Sequence, residues 1–393
     1  MSSKITLGMG DNVDYEIIWS SIIFEDLIIK YDIKDQELNT IQNVKTERDL
    51  VISILSFLKL EKGGEVHVYD LSVIDAFSNN FRKKITLGGT SVRAAIAMAK
   101  LDYSSNLHLV TMNDYVRQLL PPTSKYICSC RQENVYPHLI VQYNRGTLVN
   151  AGDIHIETSR ANRIIYVNDP ENEIMEISDD FKNLVVNSDI ILISGFNAMH
   201  DKSLFKKRLQ KLDLMLEAKS PSCKIFYEDA CYHNADYSLL LHKILMSKID
   251  IYSLNEDEMS NYLKTDIDLL NPEQIVSALK QLRSFITANT IVIHTRYWAL
   301  AYGDQAESFE DALRGGVCMS NTRFRLGDDY TEADYLKTAS LPVEQEGSVF
   351  STMIKKILKT EVCCIPTYDI KTTKATTIGL GDSFVGGFIP HIK

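Results

Sequence analysis

Nothing in this sequence supplies a disulfide framework or a zinc knuckle. Its seven cysteines are an odd number, and none belongs to a Cys-x-x-Cys pair. Adjacent Cys363-Cys364 fall in the apolar run Val362 to Ile365, where a buried strand is expected, so reduced and mostly packed thiols are the reading. No run of about 18 apolar residues is present to cross a bilayer. The first residues lack the charged-then-apolar pattern of a secretory leader, so a cytoplasmic protein with no membrane partner is expected. Basic charge is scarce as well: 42 Lys and Arg against 52 Asp and Glu leave a net charge of −10. Lys206-Lys207-Arg208 and Lys355-Lys356 fall at helical spacing as solvated faces, which argues against nucleic acid as a partner. Repeats, low-complexity tracts and Pro/Gly/Ser-rich linkers are also missing. What remains is an ordinary globular composition, 45% hydrophobic and 24% charged over 393 residues. One large domain with a smaller one appended is the natural expectation at that length.

Short apolar runs alternate with longer amphipathic stretches, which predicts an α/β fold with a mainly parallel sheet. Buried strands are expected at Ile5 to Gly8, Leu107 to Val110, Ile190 to Ile193, Lys224 to Tyr227, Ile249 to Leu254 and Thr290 to His294. Helices are expected over Val92 to Leu101, Ser203 to Ala218, Tyr237 to Met246 and Glu273 to Thr287. Each strand ends in a polar or glycine-containing segment, and ligands of open α/β sheets bind beyond those ends. Two regions differ: around Val66 to Tyr69 and Leu139 to Tyr143 polar and apolar residues alternate, as in a sheet with one wet face. This divides the chain into a core (1–15, 85–135 and 177–393) and a small β-rich lid (16–84 and 136–176). Asn39 to Asp49 and Gly327 to Leu336 read as polar surface segments.

The most informative stretch is Thr377-Ile378-Gly379-Leu380-Gly381-Asp382-Ser383-Phe384. A Gly-x-Gly turn opening a helix gathers backbone N–H groups at the positive end of the helix dipole, which makes an anion site. Asp382 directly after it supplies a carboxylate to take a hydroxyl proton, the pairing that phosphoryl transfer requires. Taken alone the pattern is weak, because Gly-Asp also makes ordinary turns. Other features accompany it. Asn12-Val13-Asp14 follows the first strand, as an Asx turn or as a carboxylate for substrate hydroxyls. Gly88-Gly89-Thr90 precedes the small-residue helix Ala94 to Ala99, for tight packing and for substrate approach. Glu228-Asp229 and Asn255-Glu256-Asp257-Glu258 end two strands. Either set alone reads as a cap or a solvated turn. Two acidic strand ends in one crevice repel each other unless a cation neutralises them, and oxygen ligands with retained water suit Mg²⁺. Arg323 and Arg325 alternate on an expected strand, as surface arginines or as phosphate contacts.

In this order the motifs resemble the ADP-dependent glucokinase/phosphofructokinase family, within the ribokinase superfamily of sugar and nucleoside kinases, nearly from end to end. Asn12-Val13-Asp14 looks like the sugar-contacting motif, and Ala161-Asn162-Arg163 like the family's Asn-Arg lid strand. Tyr227-Glu228 lies where an H-x-E motif is expected, with Phe226 in the histidine's place. Asn255 to Glu258 looks like N-x-x-E, His294-Thr295 like the late core strand, and Gly379 to Asp382 like GxGD. The position of GxGD near the end of the sequence favours the ADP-using branch. The resemblance implies a ribokinase-like three-layer core and a Mg²⁺-dependent kinase moving a phosphoryl group, with ADP as donor and AMP as product. The acceptor would be a hydroxyl of a sugar, sugar phosphate or nucleoside. It implies Asp382 as base with the Gly379, Leu380 and Gly381 amides at the phosphoryl group, and Glu228 and Glu258 at the metal. Asn255, His294 and Gly381 would meet the nucleotide; Asn12, Asp14, Gly88, Gly89 and Arg163 would meet the acceptor. An ATP-dependent ribokinase-type kinase and a non-catalytic sugar- or nucleotide-binding protein are the alternatives.

Overall fold

The computed structural model describes residues 4–39, 43–232, 234–372 and 375–393. Its larger sheet has nine strands, and seven neighbouring strands run parallel. From one edge they are Ser124–Cys128, Ser105–Leu109, Ile5–Leu7, Ile190–Ile193, Lys224–Glu228, Ile251–Asn255 and Thr290–His294. Trp298–Tyr302 and Val362–Pro366 close the other edge as antiparallel strands. Burial of both faces explains why the parallel strands read as unbroken apolar runs: every residue of Ile190–Ile193 and Thr290–His294 is buried. Two helical layers cover the faces. One includes Lys202–Leu216, Ala235–Leu245 and Pro272–Leu282; the other includes Thr90–Ala99, Glu310–Leu326 and Leu380–Phe388. The last three touch backbone to backbone. A Cβ on Gly386 would come within 2.7 Å of the Ala94 carbonyl and of the Ala97 methyl, so this close approach needs glycine.

The second sheet has five strands in the order Gly64–His67, Asn162–Val167, His138–Tyr143, Asn12–Ile17 and Lys83–Gly88. Its alternation has a direct structural meaning. Val13, Tyr15, Leu139, Val141, Tyr143, Ile164 and Tyr166 are buried apolar residues in one core cluster with Phe24, Leu55 and Phe77 from the helices Ser21–Lys30, Glu47–Leu60 and Leu71–Ser78. Side chains of a strand alternate between faces, so the intervening residues lie on the opposite side. The register pairs Asp14 with Thr86 and His138, Glu16 with Lys84 and Ile140, and Gln142 with Arg163. One face of the small sheet therefore carries Asp14, Glu16, Gln142 and Arg163 together.

Two expectations change. The divisions at 15/16 and 84/85 fall inside strands, because the antiparallel ladder runs from Ile17–Lys83 to Asn12–Gly88 and ends only at the Gly88-Gly89 turn. Arg323 and Arg325 lie not on a strand but on the 17-residue helix Glu310–Leu326. Arg323 is buried there, donating Nε to the Ile378 carbonyl at 2.7 Å and pairing with Asp328, so it is neither a surface arginine nor a free phosphate ligand. Gly327 to Leu336 holds the start of the helix Glu332–Ala339. Of Asn39 to Asp49, residues 40–42 lie outside the described residues, and the helix Glu47–Leu60 begins within its end. All seven cysteines are unpaired, and Cys363 and Cys364 are buried on Val362–Pro366. Among the described residues no helix is long and apolar enough to cross a membrane.

Candidate active site

Gly379 adopts a left-handed conformation with φ +63° and caps the helix Leu380–Phe388. No side chain caps that end. The first helical bond is donated by Ser383 N to the Gly379 carbonyl, so the amides of Leu380, Gly381 and Asp382 precede the internal ladder, with the helix dipole behind them. Two buried arginines support the turn from behind. A Cβ on Gly379 would lie 2.9 Å from Arg93 Cδ, 3.0 Å from Arg93 Nη1 and 3.3 Å from Arg323 Nε. Asp382, on the first turn, is partly exposed, with one carboxylate oxygen 3.9 Å from Arg93 Nε.

Arg93 leads to the first acidic motif. Its Nη2 donates to Asp14 Oδ2 at 2.6 Å and to Glu16 Oε1 at 3.3 Å. Asn12 Nδ2 donates to Asp14 Oδ1 at 2.5 Å. Burial alone would lower the affinity of the guanidinium for its proton, but Asp14, Glu16, Asp382 and Asp328 outweigh that cost and hold it raised. Gly88 belongs to the same cluster, because a Cβ there would collide with the Asn12 and Asp14 side chains. Gly89, at φ +87°, would press a Cβ to 3.0 Å from Asp11 Cα. Asn12, Asp14, Gly88 and Gly89 are thus brought together as the motif order suggested. The sequence pattern did not show that Asp14 is already bound on both oxygens.

Glu228, Asn255 and His294 are the last residues of three adjacent parallel strands. Glu228 Oε1 is 2.9 Å from His294 Nε2, and Glu228 Oε2 is buried without a partner. Burial opposes charge on His294, yet Glu228 first, with Glu256 and Asp382, holds its affinity for a proton raised. Gly381 stands above this pair, with His294 Cε1 3.4 Å and Glu228 Oε1 4.0 Å from where its Cβ would be. Asn255 and Glu258 form a reciprocal helix cap. Asn255 Oδ1 accepts from the Asp257 and Glu258 amides, while the Glu258 carboxylate accepts from Asn255 N at 2.7 Å and Nδ2 at 2.9 Å. Burial, then Asp229 and Glu228, push the Glu258 carboxyl well above its ordinary value.

Part of this arrangement borders a cleft of about 450 Å³. Asn255, His294, Leu380 and Gly381 line it, with Arg163 from the small sheet on the same wall. The Arg163 guanidinium has no hydrogen-bond or ion-pair partner among the described residues; burial lowers its proton affinity, while Asp382 and Asp257 oppose that. Farther along, Arg296, Tyr297, Asn321, Phe324, Tyr368 and Ile370 complete the wall. No three His, Cys, Asp or Glu groups converge as a ready-made metal cage among the described residues. The acids present nevertheless fit a cation held through water: Glu228 Oε2 lacks a partner, and Glu258 is destabilised as an anion by burial and by its acidic neighbours.

The family model described as ADP-specific Phosphofructokinase/Glucokinase conserved region matches residues 3–387. The chain belongs to this family. It is an ADP-dependent carbohydrate kinase with a ribokinase-like fold. The kinase is similar to a hypothetical ADP-dependent phosphofructokinase from Pyrococcus horikoshii OT3, with a TM-score of 0.79 at 17% identity over 99% of this chain and 97% of that one. A phosphofructokinase from the same organism, solved with AMP, gives 0.78 at 17% identity over 99% and 97%. An ADP-dependent kinase in complex with fructose-6-phosphate and ADPβS gives 0.74 at 13% identity, over 100% and 94%. Likeness at these identities concerns the fold. No curated protein matches the kinase in sequence.

Reading the sequence missed four residues of this candidate site. Arg93 was detectable as the lone charge in an alanine-rich helix, and Glu16 and Gln142 as the polar positions of alternating strands. Gln142 Oε1 accepts from Thr377 N at 3.1 Å and Thr376 Oγ1 at 3.3 Å, joining the small sheet to the segment that enters GxGD. Asp11, fully buried, accepts from the Val110 and Thr111 amides on one oxygen and leaves the other unpartnered; it carried no sequence signal beyond its place after a strand.

Proposed function

We propose that the kinase transfers the terminal phosphoryl group of ADP to a hydroxyl of a sugar phosphate, releasing AMP, with Mg²⁺ as the required cation. The observation carrying this reading is Asp382 at the first turn of an uncapped helix whose first residues, Leu380 and Gly381, line the cleft. In the reaction Asp382 takes the proton of the acceptor hydroxyl. That oxygen bonds to phosphorus, the bond from phosphorus to the AMP oxygen breaks, and the leaving oxygen keeps the electron pair. The amides of Gly379, Leu380 and Gly381 stabilise negative charge on the transferring group. Glu228 and Glu258 would hold Mg²⁺ through water, and Mg²⁺ when bound would neutralise charge on the diphosphate.

Asn255, His294 and Gly381 form the nucleotide side. Asn12, Asp14, Gly88 and Gly89 form the acceptor side, where each Asp14 oxygen keeps lone-pair capacity for a sugar hydroxyl. Arg163 supports a substrate rich in phosphate, because an unpaired guanidinium over a cleft suits phosphate oxygens. The bound fructose-6-phosphate of the similar kinase supports the same acceptor class. The small sheet acts as a lid, closing over the acceptor to exclude water.

The test is an assay of ADP and ATP, each with glucose, fructose 6-phosphate, ribose phosphate and adenosine, at controlled Mg²⁺. AMP formation with a sugar phosphate is expected, and Asp382→Asn should lower kcat at least about 10²–10⁴-fold with little change in nucleotide affinity. Strict ATP use, turnover of unphosphorylated acceptors alone, or an active Asp382→Asn enzyme would overturn the reading.

A further inference from the structure

One buried guanidinium stands where the acceptor acids, the base and the phosphate turn meet, and the reaction above gives it no part. Arg93 belongs to helix Thr90–Ala99, yet it contacts two other elements. Its Nη2 is held by Asp14 and Glu16 of the lid strand Asn12–Ile17. Its Nε lies 3.9 Å from Asp382 Oδ2, and its Cδ and Nη1 pack where a Cβ of Gly379 would be. An alanine-rich helix packed against Gly386 has no structural need for a buried charge. An apolar side chain of similar volume would avoid the desolvation cost of the ion pairs.

We propose that Arg93 is a positioning residue for phosphoryl transfer: its guanidinium orients the Asp382 carboxylate toward the acceptor hydroxyl, and the lid strand, through Asp14 and Glu16, fixes the guanidinium. This rests on the kinase reading with Asp382 as base. Other charges face Asp382. Arg163 approaches from lid strand Asn162–Val167 and His294 from core strand Thr290–His294; Arg323 lies behind Gly379, on helix Glu310–Leu326. Each has another engagement or a longer reach. His294 is paired with Glu228, Arg323 serves the Ile378 carbonyl and Asp328, and Arg163 lines the open cleft. The acids nearby are Glu228 below Gly381, Asp14 and Glu16 on the lid strand, and Asp328 beyond helix Glu310–Leu326. Among the described residues, Arg93 is the cation within 4.0 Å of the Asp382 carboxylate. With Oδ2 turned toward Arg93, Oδ1 is left to meet the acceptor. A lid strand that moves carries Asp14 and Glu16 with it and shifts the group that orients the base.

The experiment compares wild type with Arg93→Met, Arg93→Ala and Arg93→Lys, using ADP, Mg²⁺ and whichever acceptor the wild-type enzyme turns over. Arg93→Met should lower kcat about 100-fold, the scale of a misplaced reacting group, with the KM for ADP within about threefold. Guanidinium chloride, at concentrations that leave the chain folded, should partly restore Arg93→Ala. Arg93→Lys should lose only about tenfold in kcat, since an ammonium keeps the charge but cannot reach both the lid acids and Asp382. A Met variant whose lost activity follows its folded fraction, with no guanidinium rescue of Ala, would reduce Arg93 to a structural ion pair. If Met and Ala do not fold, a Lys variant with wild-type kcat overturns the proposal. A wild-type chain that phosphorylates no acceptor overturns the kinase reading instead, and this inference with it.

Discussion

Gly379→Ala separates a phosphate turn built as described from a merely permissive loop. Two terms set the size of the effect. At φ +63° an alanine pays the left-handed backbone penalty, about 1–2 kcal/mol. Its methyl would also lie 2.9 Å from Arg93 Cδ, which is not the free end of a flexible chain, because Asp14 and Glu16 hold the guanidinium beyond it. Displacing it gives up part of a buried ion pair, whose full disruption costs about 3–5 kcal/mol. A total loss of about 2–4 kcal/mol in unfolding free energy is expected by urea titration. Turnover should fall about 10²-fold even where the protein remains folded, since amides and base both move relative to the phosphoryl group. Gly381→Ala serves as the control for stability. Its methyl would meet His294 Cε1 at 3.4 Å, ordinary contact, and it has no positive φ, so folding should change little. Equal stability and turnover for Gly379→Ala and wild type would refute the described turn.

Three further outcomes are expected. Glu228→Gln and Glu258→Gln should each raise the Mg²⁺ concentration needed for half-maximal rate; unchanged Mg²⁺ dependence in both would leave the two acids as a strand end and a helix cap. Arg163→Ala should raise KM about tenfold for phosphate-bearing substrates, one to two decades being the scale of a lost charge-assisted contact, and equal KM values for all substrates would remove it from phosphate binding. Asp11 is pushed up to about 7 by burial, partly offset by the Thr111 and Val110 amides, from an ordinary value of 3.8. The folded state therefore binds the extra proton between these values, and stability should fall as pH rises from about 4 to about 7. Asp11→Asn should flatten that part of the thermal-unfolding profile against pH; an unchanged slope would assign the dependence to other groups.

How far the sequence revealed the site follows from what each element packs against. Strands covered on both faces announce themselves as apolar runs, and the residues closing those runs, Glu228, Asn255 and His294, were accordingly found at the crevice. The small sheet was legible where one face is apolar, as in His138–Tyr143, but its polar face looked like solvent exposure when it in fact faces Arg93 and the segment entering GxGD. That is why Glu16 and Gln142 were passed over. The misreading of Arg323 and Arg325 has a different cause. Gly315-Gly316 looks like a break, which hides the helix, and two arginines two positions apart then mimic a strand. Both glycines are there because helix Leu380–Phe388 comes close: a Cβ on Gly316 would be 2.6 Å from the Phe384 ring. Contacts between elements distant in sequence, such as Arg93 with Asp14 or Gln142 with Thr377, have no local signature at all.

The charge balance of the cleft explains why its parts come from so many elements. Glu228, Asp229, Glu256, Asp257 and Glu258 crowd one end, and burial together with their mutual repulsion raises the carboxyls of Asp229, Glu256 and Glu258. Such a wall repels a diphosphate unless cations arrive with it. The fixed cations are fewer: Arg296 lines the cleft, Arg93 and Arg323 lie behind GxGD, already paired with acids, and Arg163 sits on the small sheet. Against five acids, these cations leave the cleft short of the fixed positive charge that a nucleotide needs. On the proposed reading a metal–nucleotide complex would supply the missing charge, and closure of the small sheet would bring Arg163 to the phosphates. Asp14 and Glu16 of the same sheet already hold Arg93, which lies 3.9 Å from Asp382. On that reading binding of charge and alignment of the base depend on the same sheet, which is a physical reason for this core to carry it.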